Sequence, residues 1–487
     1  MGGRVPLLIA RVGHHRRDAA RRQGIPHHGD ARGTAAHASV TFGSRLPDLR
    51  IPPPGPASRA LADRLRAVES RNVTHLADDW PIFWESAAGA NVRDADGNVY
   101  VDLCAGFGVA LLGHSHPAVS AAIADQALRL THGMGDVHPP SIRVELLERL
   151  RDLSPWPDAR AVLASTGSEA VEIALKTAQL ATGHPGVLAF EGGYHGLTMG
   201  SLATTARSTF RRPFVRRLYR GVAFAPYPLA GPRGATSMTL ALEFVRRALR
   251  DGAPNGDPIG AVIVEPVQGR AGARVAPAGF MAEVSALAAE AGALVIADEI
   301  LTGMGRCGAM LASTRVGLKP DLVCVGKALG AGLPLSACVG RRAVMDAWPE
   351  SDGEAVHTST FLGHPLACAA ALAALDRYGP ESVLTRAEAL GESLRTRLAT
   401  RLSGVPGVGE VRGLGLLLGI ELVSGDRSAL PAGAAARVAV AALREGVIVL
   451  PAGDVGQVVE LTPSVALTDE QADYAVEALV KAIAAPA

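Results

Sequence analysis

The stretch LVCVGK at residues 322–327 indicates the fold class of this chain. Four consecutive apolar residues before a glycine are typical of a strand that is buried on both faces of a parallel sheet. The pattern recurs along the chain, and it predicts further strands at residues 161–164, 186–190, 260–264, 293–297 and 335–339.

Helix-like segments separate these predicted strands. Residues 168–181, 279–290 and 365–375 are rich in good helix formers and contain no internal proline. Strands that alternate with helices predict an α/β fold, in which helices cover both faces of a mostly parallel sheet. In such a sheet, ligands collect at the carboxyl ends of the strands.

The length and composition fit a protein of more than one domain. The chain has 487 residues, of which 48% are hydrophobic and 20% charged, so it can bury a sizeable core. We predict a large domain at residues 115–378 and a smaller α+β domain at residues 379–487, to which residues 51–114 contribute. Residues 1–50 lack apolar periodicity and predict a disordered extension.

Charge, hydropathy and cysteine usage exclude several classes of protein. The formal net charge is +1, so neither nucleic acid nor an anionic membrane is an expected partner. No segment reaches the roughly 18 apolar residues of a membrane-spanning helix. The five cysteines are scattered and form no C-x-x-C pair, which is typical of the reducing cytoplasm and argues against a cysteine-rich metal site.

Lysine is scarce in this chain, and one lysine has unusual surroundings. Lys327 follows an apolar strand and precedes a glycine-rich segment, whereas Lys176, Lys319 and Lys481 lie in a helix, a polar turn and the C-terminal region. Burial lowers the pKa of a lysine and makes its amine nucleophilic. Lys327 is therefore a candidate Schiff-base amine or proton carrier.

Polar residues follow the other predicted strands. Residues 165–168 precede a helix and suit a phosphate group, although an ordinary N-cap at Ser168 would have the same sequence. Tyr194 and His195 lie between glycines and predict either a stacking wall for a planar ring or a simple turn. A buried acid such as Asp298 requires a cation, a metal or a protonated nitrogen. With the buried lysine, this set suits pyridoxal phosphate.

The chain resembles the class III pyridoxal-phosphate-dependent aminotransferases, and in particular the ω-aminotransferases, from about residue 60 to its end. Eight motifs occur in the family's order, and together they are specific although each alone is weak evidence. They are GHSHP (113–117), TGSEA (166–170), YHG (194–196), EPVQG (265–269), DE (298–299) followed by TG (302–303) and GR (305–306), GK (326–327), TFLGHP (360–365) and VRGLG (411–415). The resemblance implies fold type I with a seven-stranded sheet, and a homodimer or tetramer with shared active sites.

The resemblance also implies roles for individual residues. Lys327 is expected to form the Schiff base and to shuttle a proton, and Asp298 is expected to pair with the pyridine nitrogen. Substrate contacts are expected at Arg412, which would bind a carboxylate, and at Arg270 and Phe107. The remaining expected cofactor-binding residues are Thr166, Gly167, Ser168, Tyr194, His195, Glu265, Gln268 and, from the neighbouring subunit, Thr360.

Two positions depart from the family pattern. Several ω-aminotransferases carry a glutamate after Gln268-Gly269 that masks the carboxylate-binding arginine between half-reactions, but this chain has Arg270. The usual masking switch is therefore not expected, and Arg270 could itself bind a second carboxylate. His364 replaces the usual asparagine, and nothing in the sequence explains that change.

The predicted reaction is transfer of an amino group from an amino acid or ω-amino donor to a 2-oxo acid, either 2-oxoglutarate or pyruvate. Two alternatives stay open at this point. A racemase, epimerase or aminomutase would share the fold and the cofactor. A metal-dependent hydrolase would use His114, His116, Asp298 and Glu299, although we expect no metal because the turn with the two histidines is structural in this family.

Overall fold

The computed structural model describes residues 42–230, 234–379, 383–424 and 433–484. Of the predicted extension, residues 1–41 lie outside the described residues. Its last part is folded, because Phe42 is 3% exposed and lies 4.5 Å from the guanidinium of Arg93. Asp48 also exchanges two backbone hydrogen bonds of 2.9 Å with Val99. The predicted boundary at residue 50 is therefore wrong for residues 42–50.

The N-terminal part of the described chain consists of short helices and a hairpin. Its elements are α1 (Pro56–Val68), β1 (Trp84–Ala88), β2 (Asn91–Asp94), β3 (Val99–Asp102), α2 (Ala105–Gly108), α3 (Pro117–Arg129) and α4 (Ser141–Leu153). Strands β2 and β3 pair antiparallel, so the DADGN segment at residues 94–98 forms a hairpin turn.

The middle of the chain alternates strands and helices. Its elements are β4 (Arg160–Ala164), α5 (Gly167–Thr182), β5 (Gly186–Phe190), α6 (Met199–Thr204), α7 (Ser208–Arg211), β6 (Val222–Ala225), α8 (Gly234–Asp251), β7 (Ile259–Val264), β8 (Val267–Gln268), β9 (Arg274–Val275), α9 (Phe280–Glu290), β10 (Leu294–Glu299), α10 (Ser313–Val316), β11 (Leu322–Val325), β12 (Ser336–Gly340), α11 (Arg342–Met345) and α12 (Pro365–Leu375), with 3₁₀ turns at Arg212–Phe214 and Lys327–Leu329.

The described residues of the C-terminal part combine three α-helices with short strands. Its elements are α13 (Thr385–Arg401), β13 (Val408–Leu414), β14 (Leu417–Leu422), α14 (Ala434–Arg444), β15 (Val447–Ile448), β16 (Leu450–Ala452), β17 (Val458–Leu461) and α15 (Asp469–Ala484). Within the described ranges, no helix has both the length and the apolar character needed to cross a bilayer.

The central sheet has seven strands in the order β4-β12-β11-β10-β7-β5-β6. Strand β12 is antiparallel to both of its neighbours, and the pairs among β11, β10, β7, β5 and β6 are parallel. This arrangement confirms the predicted α/β fold with a mostly parallel seven-stranded sheet.

Both faces of this sheet are buried, which explains the uninterrupted apolar strands. Successive side chains point to opposite faces. Val262 and Val264 pack in the same cluster as Phe280 of α9, whereas Ala261 and Ile263 pack with the residues of α5. A strand enclosed by helices on both sides has no polar face, so its sequence does not alternate.

Two smaller sheets of four strands have the orders β1-β2-β3-β15 and β13-β14-β17-β16, and β8 and β9 form a separate two-stranded pair. In the first, β15 from the C-terminal part pairs in parallel with β3, and Val447 lies opposite Val101. The pairing agrees with a contribution of residues 51–114 to the smaller domain, although the domain boundaries themselves stay a prediction.

A fully buried arginine links three distant segments of the chain. The guanidinium of Arg306, which is 0% exposed, donates hydrogen bonds to the carbonyl oxygens of Gly108 at 3.1 Å, Leu416 at 3.3 Å and Pro463. Burial lowers the pKa of Arg306 to about 10. These carbonyls come from distant parts of the chain, so one side chain satisfies buried acceptors in both the N-terminal and C-terminal parts.

Substituting Arg306→Met is expected to lower the free energy of unfolding by about 3 kcal/mol, because buried carbonyl oxygens lose their donor. Urea unfolding followed by circular dichroism measures the change. The matched control is Arg342→Met, because the Arg342 side chain is 57% exposed beside Asp346 and such a pair contributes less than about 1 kcal/mol. Equal losses in the two variants would contradict the role given to Arg306.

Candidate active site

Lys327 and Asp298 lie at the same edge of the central sheet. Strands β10 and β11 are parallel, and Asp298 lies opposite Cys324 in their register. Lys327 follows the end of β11 by two residues, so both side chains leave the carboxyl ends of neighbouring strands. The Asp298 carboxylate favours the protonated form of Lys327. The structure therefore brings together the two residues that were predicted to be catalytic.

The backbone and the ammonium group of Lys327 are both in unusual environments. Its φ angle is 42°, in the left-handed region that residues other than glycine seldom occupy. Burial lowers the pKa of Lys327, although the carboxylates of Asp298, Glu265 and Glu460 oppose that effect. A lowered pKa increases the fraction of neutral amine, which is the nucleophilic form. Backbone strain of this kind is concentrated at functional sites.

A histidine fixes the orientation of Asp298, which is 4% exposed. His195 Nδ1 lies 2.7 Å from Asp298 Oδ2, and the Ile300 N–H donates to Asp298 Oδ1 at 3.1 Å. Burial disfavours the charged imidazole, but the hydrogen bond and charge of Asp298 outweigh it and raise the pKa of His195. The Thr205 hydroxyl accepts the backbone N–H of His195 at 2.9 Å. The loop that contains His195 is therefore held to the end of strand β10, which carries Asp298.

A second buried acid organises the loops around this pair. Glu265 accepts the backbone N–H groups of Tyr194 and Gly269, each at 3.0 Å. Burial raises the pKa of Glu265 to about 7, with His195 acting in the opposite direction. Gln268 donates its side-chain amide to the Glu191 carbonyl at 2.8 Å. The predicted residues of these two loops thus converge on one site.

The start of α5 has the geometry of an anion site. Thr166 is the N-cap and forms a capping box with Glu169, so the alternative in which Ser168 is an ordinary N-cap is wrong. The N–H groups of the first helical residues, Gly167 and Ser168, have no acceptor within a helix and point outward at its positive end. These groups suit a phosphate, as predicted.

The loop with Tyr194 approaches the start of α5 closely. Gly196 has a φ of 129°, and a Cβ at this position would lie 2.2 Å from the Ser168 hydroxyl oxygen. That oxygen accepts the Leu197 N–H at 3.2 Å. Tyr194 itself packs edge-to-face against Phe210, with 5.8 Å between the ring centroids. Stacking of Tyr194 on a cofactor ring stays a prediction.

Sequence reasoning missed one acid of the site, Glu460. This residue is 5% exposed, and its Oε2 lies 3.4 Å from an Arg270 terminal nitrogen. Burial raises the pKa of Glu460, while Arg270 and Lys327 oppose the shift. Its signal in the sequence is a single carboxylate inside the apolar segment VVEL of residues 458–461, which is costly unless it is paired.

The structure places Arg412 among acceptors of its own chain. Its Nε donates to the Gly272 carbonyl at 2.9 Å, and one terminal nitrogen lies 2.6 Å from Glu421 and 3.3 Å from Glu410. The side chain is only 7% exposed. Binding of a substrate carboxylate by Arg412 stays a prediction, and it would require the release of some of these contacts.

Phe107 and Thr360 lie at exposed positions. Phe107 is 66% exposed and has a φ of 62°, within a left-handed turn next to buried residues. Thr360 belongs to an exposed loop, as a residue that reaches a neighbouring subunit would. Their contacts with substrate and phosphate stay predictions.

Three of the four residues in the metal-hydrolase alternative have separate partners, and Asp298 pairs with His195 as described above. His114 Nε2 lies 2.8 Å from Asp102, and His116 is the N-cap of α3. Glu299 accepts the Thr302 hydroxyl at 2.6 Å and the Ser313 N–H at 2.7 Å. In the part of the chain that the structure describes, no three metal-binding side chains come together. The geometry therefore does not support this alternative.

Unpaired buried atoms indicate that the site accommodates a further polar group. His195 Nε2 and Gln268 Oε1 are buried and have no hydrogen-bond partner among the described residues, and such atoms are rare in proteins. The helix start, Asp298 and Lys327 offer partners for a phosphate, a ring nitrogen and an aldehyde, which are the groups of pyridoxal phosphate. The residues present therefore fit this cofactor.

The fold and the site together define a pyridoxal-phosphate enzyme of fold type I. Residues 73–483 match the family model for the class-III aminotransferases. The chain belongs to this family, and it is a pyridoxal-phosphate-dependent aminotransferase. This finding favours the transferase reaction over the racemase and aminomutase alternatives.

Three relatives illustrate the similarity. The 4-aminobutyrate aminotransferase of Mycobacterium tuberculosis is 36% identical over 86% of this chain and 93% of its own length. The 5-aminovalerate aminotransferase of Pseudomonas putida is 36% identical over 80% of this chain and 90% of its own length. The crystal structure of an amine transaminase from an uncultivated Pseudomonas species, in its cofactor-bound form, has a TM-score of 0.77 and 32% identity, covering 86% of this chain and 98% of that one.

Substituting Glu265→Gln is expected to flatten the pH dependence of stability. The folded protein retains the Glu265 proton up to about pH 7, whereas an unfolded glutamate loses it near 4.5. The folded state therefore binds more protons in this window, and the free energy of unfolding falls as the pH rises. From pH 5 to 8 the substitution should remove about 2 kcal/mol of this decrease.

Urea unfolding of the cofactor-free protein at several pH values measures this slope. Glu290→Gln, on the exposed side of α9, is the matched control and should retain the wild-type slope. Parallel curves for the wild type and Glu265→Gln would contradict the assignment of the raised pKa.

Proposed function

We propose that this protein transfers an amino group from an amino acid or ω-amino donor to a 2-oxo acid, with Lys327 as the amine that binds the cofactor aldehyde. The observation that carries the proposal is the position of Lys327. It is a strained lysine with a lowered pKa, and it lies next to a buried carboxylate at the edge of the sheet where ligands bind.

Pyridoxal phosphate supplies an aldehyde carbon and an electron-withdrawing ring when it is bound. Lys327 provides an amine whose lowered pKa increases the neutral, nucleophilic fraction, and its Nζ can then accept and return a proton at the reacting carbon. His195 orients Asp298, and the Asp298 carboxylate would keep a proton on the ring nitrogen of the cofactor. Gly167 and Ser168 hold the phosphate through their backbone N–H groups.

The substrates that we propose carry carboxylates. The relatives are named for 4-aminobutyrate and 5-aminovalerate, which are ω-amino acids, and 2-oxoglutarate or pyruvate would accept the nitrogen. Arg270 supports this class of substrate because its side chain is 29% exposed and its charge acts on Lys327. Arg412 is the second candidate for the same role.

We also propose a homodimer, or a dimer of dimers, in which Thr360 reaches the phosphate of the neighbouring subunit. Large apolar side chains are exposed on the same surface, including Val137 at 59% and Phe361 at 58%. Phe361 contacts His132 with 5.4 Å between ring centroids, so the two exposed loops form one patch. Exposed apolar patches of this kind mark interfaces, and a second copy of the chain is the occupant that we propose.

The cysteines support a cytoplasmic location. All five are free and buried, including Cys324 and Cys338, which lie opposite each other on neighbouring strands. Free thiols that face each other are typical of a reducing compartment.

Reduction of the holoenzyme with borohydride should fix the pyridoxyl group on Lys327, and mass spectrometry of the peptides locates it. Lys327→Ala should abolish the label and lower the rate of transamination by at least about 1,000-fold. The exposed Lys319→Ala is the control and should keep both the label and the rate. A label on any other lysine would contradict the proposal.

The double substitution Val137→Glu and Phe361→Glu is expected to convert the dimer into monomers, because it places charges in the apolar patch. Sedimentation velocity at several protein concentrations measures the change. Leu240→Glu, at a position that is 61% exposed on α8, is the control and should leave the dimer intact. A double variant that remains dimeric would exclude this surface as the interface.

A further inference from the structure

Three arginines of residues 115–378, the predicted large domain, contact one turn of the C-terminal part at residues 453–454. Arg207 donates to the Gly453 carbonyl at 2.9 Å, and the Arg270 carbonyl accepts the N–H of the same glycine at 3.0 Å. Arg274 forms an ion pair of 3.0 Å with Asp454. The turn therefore contacts both the Arg207 side chain and the Arg270 backbone, and the charge of Arg270 acts on Arg207.

We call Arg207, Arg270 and the turn at residues 453–454 the corner. Its positive charges exceed the buried negative charge. Burial lowers the pKa of Arg207, and the neighbouring Arg270 lowers it further, whereas Asp454, Tyr194 and Glu460 oppose the shift. Asp454 is 47% exposed and already paired with another arginine. Glu460 is thus the only fully desolvated carboxylate among these opposing groups, and it is shared by two guanidinium groups.

Tyr194 lies within reach of the charges of this corner and of Asp298. Burial raises the pKa of Tyr194, and the charges of Arg270 and Arg207 act against that shift. Arg270 also acts on Lys327. The charge of Arg270 thus acts on both the reacting amine and Arg207.

The hydrogen bonds in the corner are incomplete. Arg270 reaches Glu460 through a single contact of 3.4 Å, although a guanidinium can bind a carboxylate through two short bonds. The Nε atom of Arg207 is buried and has no partner within the described ranges. Arg412, in contrast, has contacts with two carboxylates and a carbonyl. An incoming carboxylate would therefore gain more at Arg207 and Arg270 than at Arg412.

We propose that Arg207 and Arg270 together bind the substrate carboxylate that is remote from the reacting carbon, and that Glu460 is the internal counter-ion which this carboxylate displaces. The inference rests on the proposed function and names its acceptor class: a dicarboxylic 2-oxo acid such as 2-oxoglutarate is preferred over pyruvate. Arg207 is a specificity-determining residue that sequence motifs do not mark.

The test compares acceptors that differ in the remote carboxylate. In the holoenzyme, Arg207→Gln should raise the KM for 2-oxoglutarate by about 10- to 100-fold, because charge-assisted hydrogen bonds are lost. The KM for pyruvate should change by less than about 3-fold, because pyruvate lacks the group that Arg207 binds. Arg211→Gln is the matched control, since the Arg211 guanidinium packs 4.6 Å from the Phe224 ring, and it should change neither value.

Binding without turnover provides a second measurement. Isothermal titration of the holoenzyme with glutarate and with butyrate compares a dicarboxylate with the monocarboxylate in which hydrogen replaces one of its two carboxylate groups. Arg207→Gln should weaken glutarate binding by about 10-fold or more and leave butyrate unchanged. Glu460→Gln should strengthen glutarate binding, because a neutral amide competes less well for the arginines.

The outcomes separate this inference from the proposed function. If the holoenzyme carries the pyridoxyl label on Lys327 but Arg207→Gln changes the KM for 2-oxoglutarate and for pyruvate equally, only the proposed carboxylate site at Arg207 and Arg270 is overturned. If borohydride reduction of the wild-type holoenzyme gives no pyridoxyl label on Lys327, the proposed function is overturned. Arg207→Lys should partly restore glutarate binding if charge is the cause, and circular dichroism checks that each variant is folded.

Discussion

The burial of an ammonium and a carboxylate beside each other at Lys327 and Asp298 is the constraint on which the site depends. Either ion alone would cost several kcal/mol to remove from water. The register of β10 with β11 delivers both groups to one edge of the sheet, where each offsets part of the other's desolvation. His195 then fixes the carboxylate at 2.7 Å, so the fold provides the pair without any movement of the strands.

This arrangement requires departures from regular backbone at the ends of the strands. Lys327, Met304 and Ala331 have φ angles of 42°, 54° and 47°, which are unfavourable for residues with a Cβ. Their strain is tolerated because the surrounding packing determines their conformation. The Tyr378 hydroxyl, for example, donates to the Ala328 carbonyl at 2.8 Å, so a buried contact holds the segment that carries the lysine.

The parts of the fold that depend on local pattern could be predicted from the sequence. Strands Gly186–Phe190 and Leu322–Val325 begin and end as predicted, because two-sided burial leaves an unbroken apolar run. Strand Val222–Ala225 was missed, since four apolar residues at a sheet edge are a weak signal. The antiparallel direction of β12 and the approach of Glu460 to Lys327 depend on pairing between distant segments, which no local pattern encodes.

The register of the sheet β13-β14-β17-β16 explains the ion pairs of Arg412, Arg270 and Glu460. These pairs differ from the family pattern, in which a glutamate masks the carboxylate-binding arginine. Gly419 lies opposite both Arg412 and Glu460, so these side chains point to one face on either side of a glycine. A Cβ on Gly419 would lie 2.7 Å from the Gly272 carbonyl; the segment that follows Arg270 therefore crosses directly over it. This crossing places the Gly272 carbonyl against Arg412 and leaves Arg270 facing Glu460. One glycine thus determines that Arg412 is occupied by its own chain while Arg270 remains the more accessible cation.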